Sequence, residues 1–405
     1  MISAAPIATP AASLDQSGWR KLPLILIVAG GLLGLIGAFV NTKQFAYSYL
    51  LAFMFYLSLC LGGLFLVLLH HLFDASWSVP IRRIEEHFGG LLPVMAALFL
   101  PIALLAKTIY PWMNLDPGTD HALRSKLPLF TVPMFYIVAA LCFAIWALLT
   151  NRLRYWSLKQ DATGGADCTH KLRFHAAWGI FAFAVTLTLG AIMWMKALQH
   201  QWFSTMYGVY YFAGSVWTTL PTIYVIALVL KQRGEPFRTL LTPTLFYYLG
   251  TLMFAFTVFY AYIHFSQYFI IWNANVPEET FWYVVREKGS WWDIGMIIIF
   301  GHFLVPFLAL LRIDFKLKLT VIVPLWIWAW LMHFCDLSFN IMPIPHPDGF
   351  VLHWLDIACM AFIGGVLAKI FLAMFAKHPA YPLRDPRLKE AMTSHEIPPD
   401  EVTVH

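Results

Sequence analysis

The chain has 405 residues, 60% of them hydrophobic and 12% charged, with a mean hydropathy of +0.67. An ordinary soluble domain is about 25% charged and 45–50% apolar, so the composition excludes a soluble globular protein and predicts an all-α polytopic membrane protein. The net charge of +5 is a topology signal, as shown below, and asks for no nucleic acid.

Apolar runs of about 20 residues, enough to cross a ~30 Å hydrocarbon core, lie near 22–40, 45–70, 90–108, 128–149, 175–196, 205–230, 240–265, 292–312, 318–337 and 351–376. They predict ten spans forming a transmembrane domain over 22–376, between an N-terminal tail 1–21 and a C-terminal tail 377–405. The interspan segments holding Arg20, Arg82, Arg152 to Arg173, Lys231 to Arg238, Arg312 to Lys318 and Lys377 to Lys389 fall on one side. That side carries 19 of the 27 Lys and Arg residues, the other side seven, and Lys369 lies inside the last span. By the positive-inside rule both termini are expected on the cytoplasmic face of the membrane, with membrane lipids as the surroundings.

The segment before the first span is rich in Ala, Ser and Pro and has no basic residue before Arg20. It lacks the charged start of a cleavable signal, so the first span is expected to be a retained anchor. Gly30, Gly34 and Gly37 share one face of it, the small-residue surface through which membrane helices approach. The second span ends in His70, His71 and Asp74, and His70 with Asp74 is a candidate proton entry. Trp77, Arg82, Arg83, Glu85 and Glu86 then form an amphipathic connector, read as a solvated helix end with local ion pairs. No loop is long enough to be a domain, the longest being about 150–174 and 266–291.

The sixth span carries Ser204, Gly208, Tyr211, Ser215, Thr218 and Thr222 alternately four and three apart, a stripe of small and hydroxyl groups on one helix face. Such a stripe serves helix packing, or relays protons with ordered water, since each hydroxyl donates and accepts. The seventh puts Thr257, Tyr260, His264 and Gln267 on one face. The eighth starts at Trp291, Trp292 and Asp293 and reaches His302 about ten residues in, roughly 15 Å deep. The ninth carries His333, Asp336 and Asn340, and the tenth starts with His353 and Asp356. His264, His333 and Asp336 read as an outer polar cluster or as interfacial groups, and His302 as a deeper histidine at mid-depth. Ionisable groups inside a membrane are costly and mark a pathway or site.

Redox ligands are not supplied by this pattern. The five cysteines include no C-x-x-C and no C-x-x-C-H, so neither an Fe–S cluster nor covalent haem is expected, and the histidines form no matched pairs for b-type haem. No metal site is expected. Leu91-Leu92-Pro93 and Leu240-Leu241-Thr242-Pro243 each follow a basic loop, an echo of two four-helix bundles over spans 2–5 and 6–9, with two additional helices.

The segments "FSQYFIIWNANVPEETFWYV" (265–284), "DASWSVPIRRIEEHFGGLLP" (74–93) and "HPAYPLRDPRLKEAM" (378–392) resemble ActF-type membrane subunits of bacterial alternative complex III, within the NrfD/PsrC-like family of polysulfide-reductase membrane subunits. The similarity runs through most of the chain beyond its N-terminal tail. It implies a cofactor-free helical subunit of a quinol:electron-acceptor oxidoreductase, with a proton-conducting role the more frequent proposal for the ActF type. The partners implied are a homologous ActC-like membrane subunit associated with quinol oxidation, an outer-face Fe–S subunit and multihaem cytochrome c subunits, with menaquinol or ubiquinol as quinone substrate of the complex. The sister's quinol-pocket residues match no motif here, and none are carried over. His264 is then expected at the outer end of a polar path or of a vestigial quinol-like cavity, with Asn273 to Glu279 as its rim or a docking surface and Trp272, Phe281, Trp282, Trp291 and Trp292 as interfacial anchors. Two other readings stay open: a stand-alone secondary transporter with a midplane site at broken helices, and a structural anchor whose polar groups satisfy one another.

Overall fold

A computed structural model describes residues 21–393, and among these there is no strand. Ten helices are long and apolar enough to cross a membrane: α1 (Lys21–Val40), α2 (Thr42–Leu72), α3 (Arg82–Leu104), α4 (Val132–Thr163), α5 (Ala166–Trp194), α6 (Tyr207–Gln232), α7 (Pro243–Ala274), α8 (Ser290–Leu311), α9 (Leu319–Ile341) and α10 (Trp354–Lys377). All ten predicted spans are therefore present, and the protein is an all-α polytopic membrane protein. The end bearing most Lys and Arg is called the basic end below, and the opposite one the far end.

Helices α2 and α6 are buried on nearly every side, the signature of a helix apolar all round. Helices α2 to α5 close one four-helix bundle and α6 to α9 a second, and α2 packs against α6 at the seam. The remaining pair, α1 and α10, lies against α2. This is the arrangement of two bundles plus two helices that the proline echo anticipates.

Glycines set the closest approaches. A Cβ on Gly62 would stand 2.2 Å from Thr219 Oγ1, and one on Gly63 would stand 2.4 Å from Phe88 Cβ. Adjacent residues of α2 thus admit α6 on one side and α3 on the other. Gly30 and Gly37 do the same for α10: their added Cβ atoms would meet Phe362 N at 2.6 Å and Leu355 Cδ2 at 2.1 Å. The expected packing face of α1 is the one in use.

Three segments depart from the sequence reading. The third span begins at Arg82 rather than near 90, and it restarts at Leu92 and Leu100, each time with a proline in the first turn. Pro93 and Pro101 lack the N–H that would continue the preceding helix. The expected loops 150–174 and 266–291 are mostly helical. α4 and α5 run on past their apolar stretches and are separated only at Gly164, whose φ of +68° suits a helix C-terminus. α7 continues to Ala274, Asn275 adopts φ +50°, and Pro277–Arg286 forms a short helix across the far end.

The C-terminal segment beyond Lys377 is docked rather than free as far as it is described; residues 394–405 lie outside the described residues. Leu383 N donates to Asp161 Oδ1 at 2.9 Å, Arg384 Nη1 to the Ala162 carbonyl at 2.7 Å, and Arg82 Nη1 to Asp385 Oδ2 at 2.5 Å. Tyr381 and Leu388 form a small apolar cluster with Val79 and Leu240. The carboxylate of Asp385 meets the guanidinium groups of Arg82 and Arg387, both largely buried.

Burial alone would raise the Asp385 carboxyl, but Arg82 and Arg387 more than offset this and hold it well below the usual carboxylate range. A depressed carboxylate contributes stability that is full above the unfolded value of about 4 and is lost as pH falls through the folded one. At neutral pH Asp385 therefore fastens the strap fully. Asp385→Asn leaves Arg82 only Glu86, 3.5 Å away, should cost up to about 3 kcal/mol, and should open Arg384 and Arg387 to trypsin at pH ~7. Unchanged digestion would show that the apolar cluster alone holds the segment.

Candidate functional site

The site starts from a backbone defect. Pro306 has no N–H to give the His302 carbonyl, and α8 passes through a π-helical turn over Ile298–Leu304 in which Val305 N bonds Phe300 O. Such wide turns recur at functional sites. The Gly301 carbonyl released by the turn is taken by the indole N–H of Trp328 at 2.8 Å. Gly301 packs closely there: a Cβ would stand 2.5 Å from Met332 Sδ and 3.1 Å from Trp328 Cζ2.

The wide turn carries His302 into the second bundle, where it is fully buried. Its imidazole lies between the Trp217 and Tyr260 rings, with centroids 3.8 and 3.7 Å away and planes within 23° and 20° of parallel. Trp217 is fixed by a 2.8 Å bond from its indole N–H to Thr257 Oγ1. The atoms that His302, His333 and Asp336 can offer to a cation or proton all lie within 4.8 Å of one another. The sequence reading placed His302 deeper than the other two. The structure brings all three together, because α8 descends from the far end while α9 rises toward it.

Hydrogen-bond bookkeeping assigns the tautomer of His333. Ser58 spends its only proton on the Phe55 carbonyl at 2.6 Å, so it accepts from His333 Nε2, 2.8 Å away. The Nδ1 of a neutral His333 is then an unprotonated acceptor. This atom and both nitrogens of His302 have no hydrogen-bond partner in the protein, although buried polar groups almost always have one. Gly214 faces the same imidazole, where a Cβ would come within 3.4 Å of His333 Cε1.

Asp336 accepts from Tyr260 OH at 2.7 Å and also from Tyr210 OH. One turn on, Asn340 Nδ2 donates to Tyr210 OH at 2.9 Å, and its Oδ1 accepts from Tyr207 OH at 2.9 Å. A polar line thus leads from the histidines toward the far end. Half-buried His264 stands beside it, its ring 5.7 and 5.8 Å from those of Tyr210 and Tyr260. Gln267 bonds Ser204 at 2.7 Å and Tyr283 at 3.3 Å. Over the line sits Arg286, buried and stacked 3.5 Å above Trp282, donating to the Phe339 and Asn340 carbonyls at 2.7 and 3.0 Å. A guanidinium suits the negative end of α9.

The other candidates fall elsewhere. Asp356 belongs to a separate set at the far end: it accepts from Ser48 Oγ at 2.5 Å, and Ser48 joins Gln44, which His346 meets at 2.7 Å. Asp293 is exposed, and His353 caps α10. The hydroxyl stripe of α6 is bonded back onto its own helix: Ser215 donates to Tyr211 O, Thr218 to Gly214 O and Thr222 to Thr218 O, at 2.7 to 2.9 Å. Tyr211 itself bonds the Met54 carbonyl. The stripe seats α6 against α2, and its neighbour Tyr210 is the residue that reaches Asp336. Only the pairing of that tyrosine with an intramembrane Asp could have marked it in the sequence.

At the basic end the reading of Arg82 to Glu86 as solvated is overturned, since all four charged residues are at most 4% exposed. Arg83 pairs with Glu86 at 2.6 Å and with Asp161, and Ser157 donates to Glu86 Oε1 at 2.6 Å. His70 Nδ1 lies 2.8 Å from Glu85 Oε2, whereas Asp74 bonds Arg173 and Arg387 at the surface. The expected His70–Asp74 pair therefore does not form. Asp74 follows the end of α2 at φ +52°, which turns its carboxylate away, and the close seat of α3 supplies Glu85 instead.

No protein-family model matches the chain, and no curated protein does so significantly.

The shared carboxylate makes a cooperative unit testable by unfolding in mixed micelles. Tyr210→Phe and Tyr260→Phe should each cost about 1 kcal/mol, the scale of hydrogen bonds between membrane helices. Each combined with Asp336→Asn should fall short of additivity by at least about 0.5 kcal/mol. Strict additivity would mean that the tyrosines do not act through Asp336.

Proposed function

We propose that the chain is the proton-conducting membrane subunit of a respiratory quinol:electron-acceptor oxidoreductase, of the ActF type in alternative complex III and the NrfD/PsrC-like family. It lies in the bacterial cytoplasmic membrane with its basic end toward the cytoplasm. It works beside an ActC-like sister that oxidises menaquinol or ubiquinol, an outer-face Fe–S subunit and multihaem cytochrome c subunits. The observation carrying this reading is the group of three unpartnered imidazole nitrogens on His302 and His333, buried next to Asp336 and continued outward by Tyr210, Asn340 and Tyr207.

The chemistry follows from those atoms. His333 Nδ1 is a free base beside the Asp336 carboxylate, and His302 presents one N–H and one bare nitrogen in its neutral form. A neutral imidazole can accept a proton on its bare nitrogen and release one from its N–H. Water entering between the three groups can pass a proton from one to the next, while the tyrosine hydroxyls hold Asp336 in place. Toward the basic end, His70 with Glu85, and His71 with two unpartnered nitrogens, form a second titratable group. An anchor whose polar groups satisfy one another would leave none of these nitrogens open.

In a fully assembled complex, His302→Gln should lower the proton-to-electron ratio by half or more while leaving assembly intact. Quinol oxidation slows as well if electron flow is tightly coupled to proton movement. An unchanged ratio removes His302 from the pathway, and loss of assembly alone assigns it a structural role. The partner reading is checked separately: affinity purification in mild detergent should bring haem c absorbance with the chain. A homogeneous, colourless, monomeric preparation would favour a stand-alone transporter.

A further inference from the structure

At the basic end the antiparallel pair α1 and α10 opens into a groove of about 490 Å³ lined by Ile27, Val366, Lys369, Ile370, Ala373, Met374 and Lys377. The register of the pair explains the opening. Gly37 faces Leu355, Gly30 faces Phe362, and Gly365 faces Ile27 and Pro23, so α10 extends about two turns beyond Lys21, the first described residue. Five of the lining residues are apolar, two are lysines, and none is acidic.

Lys369 is the one basic residue the sequence reading left inside a span. Among the described residues, no hydrogen bond or ion pair reaches it or Lys377, and both are exposed. They lie eight residues apart, about 12 Å along the helix. Lys377 ends α10 at the basic end, and Lys369 lies within the span, from where a lysine side chain inside a bilayer can reach toward the headgroups. Lys21 begins α1 at this end.

We infer that this groove is a binding site for one anionic phospholipid, its phosphate held between Lys369 and Lys377 and an acyl chain lying along Ile27, Val366 and Ile370. The pattern is that of a basic pocket between membrane helices on the positively charged side, which selects anionic headgroups. A soluble phosphate would gain nothing from the apolar floor, and a zwitterionic lipid would cancel much of the attraction with its own cation. The inference does not depend on the proposed proton path.

The test uses the full chain in mild detergent, titrated with phosphatidylglycerol or phosphatidylcholine and read by native mass spectrometry. Wild type should retain one phosphatidylglycerol per chain and bind phosphatidylcholine far more weakly. Lys369→Gln with Lys377→Gln should weaken phosphatidylglycerol binding roughly 25-fold, about fivefold for each lysine at ~1 kcal/mol apiece. Ala373→Trp keeps both charges but fills the groove, and should also lose the lipid. All three positions are exposed, so the variants should elute as wild type does. Equal affinity for the two lipids, unchanged binding in the lysine double variant, or retention by Ala373→Trp would each overturn the inference.

Discussion

The arrangement of both polar regions depends on one pair of contacts, those of Gly62 and Gly63 in α2. Because neither has a side chain, α6 rests on one side of this helix and the first turns of α3 on the other, each closer than a methyl group would allow. One turn toward the far end, the same helix supplies Ser58, whose hydroxyl fixes the tautomer of His333. Two turns toward the basic end it supplies His70, opposite Glu85. Widening the seam by the ~1 Å that a Cβ demands would cost tight packing and would pull both histidines out of hydrogen-bonding range. A single helix thus sets the geometry of two sites that share no residue.

The two regions meet the cost of burying charge in opposite ways. At the basic end the charges balance: the guanidinium groups of Arg82, Arg83, Arg173 and Arg387 face the carboxylates of Glu86, Asp161, Asp385 and Asp74. Such a network tolerates burial because each of these guanidinium groups meets a carboxylate, with Asp385 of the C-terminal strap supplying one of them. The cluster around His302 does not close. Its one carboxylate is held by two phenols, and three imidazole nitrogens stay without partners. The first arrangement is made mainly of ion pairs, and the second of neutral donors and open acceptors around one carboxylate.

What the sequence revealed follows from which physical signals are local. Ten apolar runs mark the spans, because bilayer thickness imposes a length that hydropathy reads directly. Spacings of three and four identified the Tyr260 and Gln267 face of α7 and the His333, Asp336, Asn340 line of α9. Depth was less legible: counting residues from a span's start ignores that neighbouring helices run in opposite directions, so His302 and His333 seemed farther apart than they are. Partners across the bundle were not legible at all. Arg82 to Glu86 carry the composition of a solvated connector, and only the tertiary seat on Gly63, with Asp161 and Asp385 arriving from 78 and 303 residues away, makes them interior. The tyrosine next to the stripe was missed because Tyr210 and Tyr211 look identical to a periodicity argument, and the partner of each lies on another helix.

Between Ser58 and His70 lie twelve residues of α2, about 18 Å of helix, and this stretch limits any path across the molecule. The hydroxyls facing it on α6, Ser215, Thr218 and Thr219, have donated their protons to carbonyls of their own helix. A hydroxyl so bonded still accepts, yet it cannot pass a proton on until it releases that carbonyl, which costs about one hydrogen bond. The middle of the seam is therefore a barrier at rest rather than a wire, and continuity across it requires water to enter beside Gly62. For the proposed proton-conducting role a barrier there is what coupling would demand, since an open line of hydroxyls would leak protons down their gradient. Under that proposal the two polar regions would be end stations, and the glycine-packed seam between them the element that a conformational event would have to loosen.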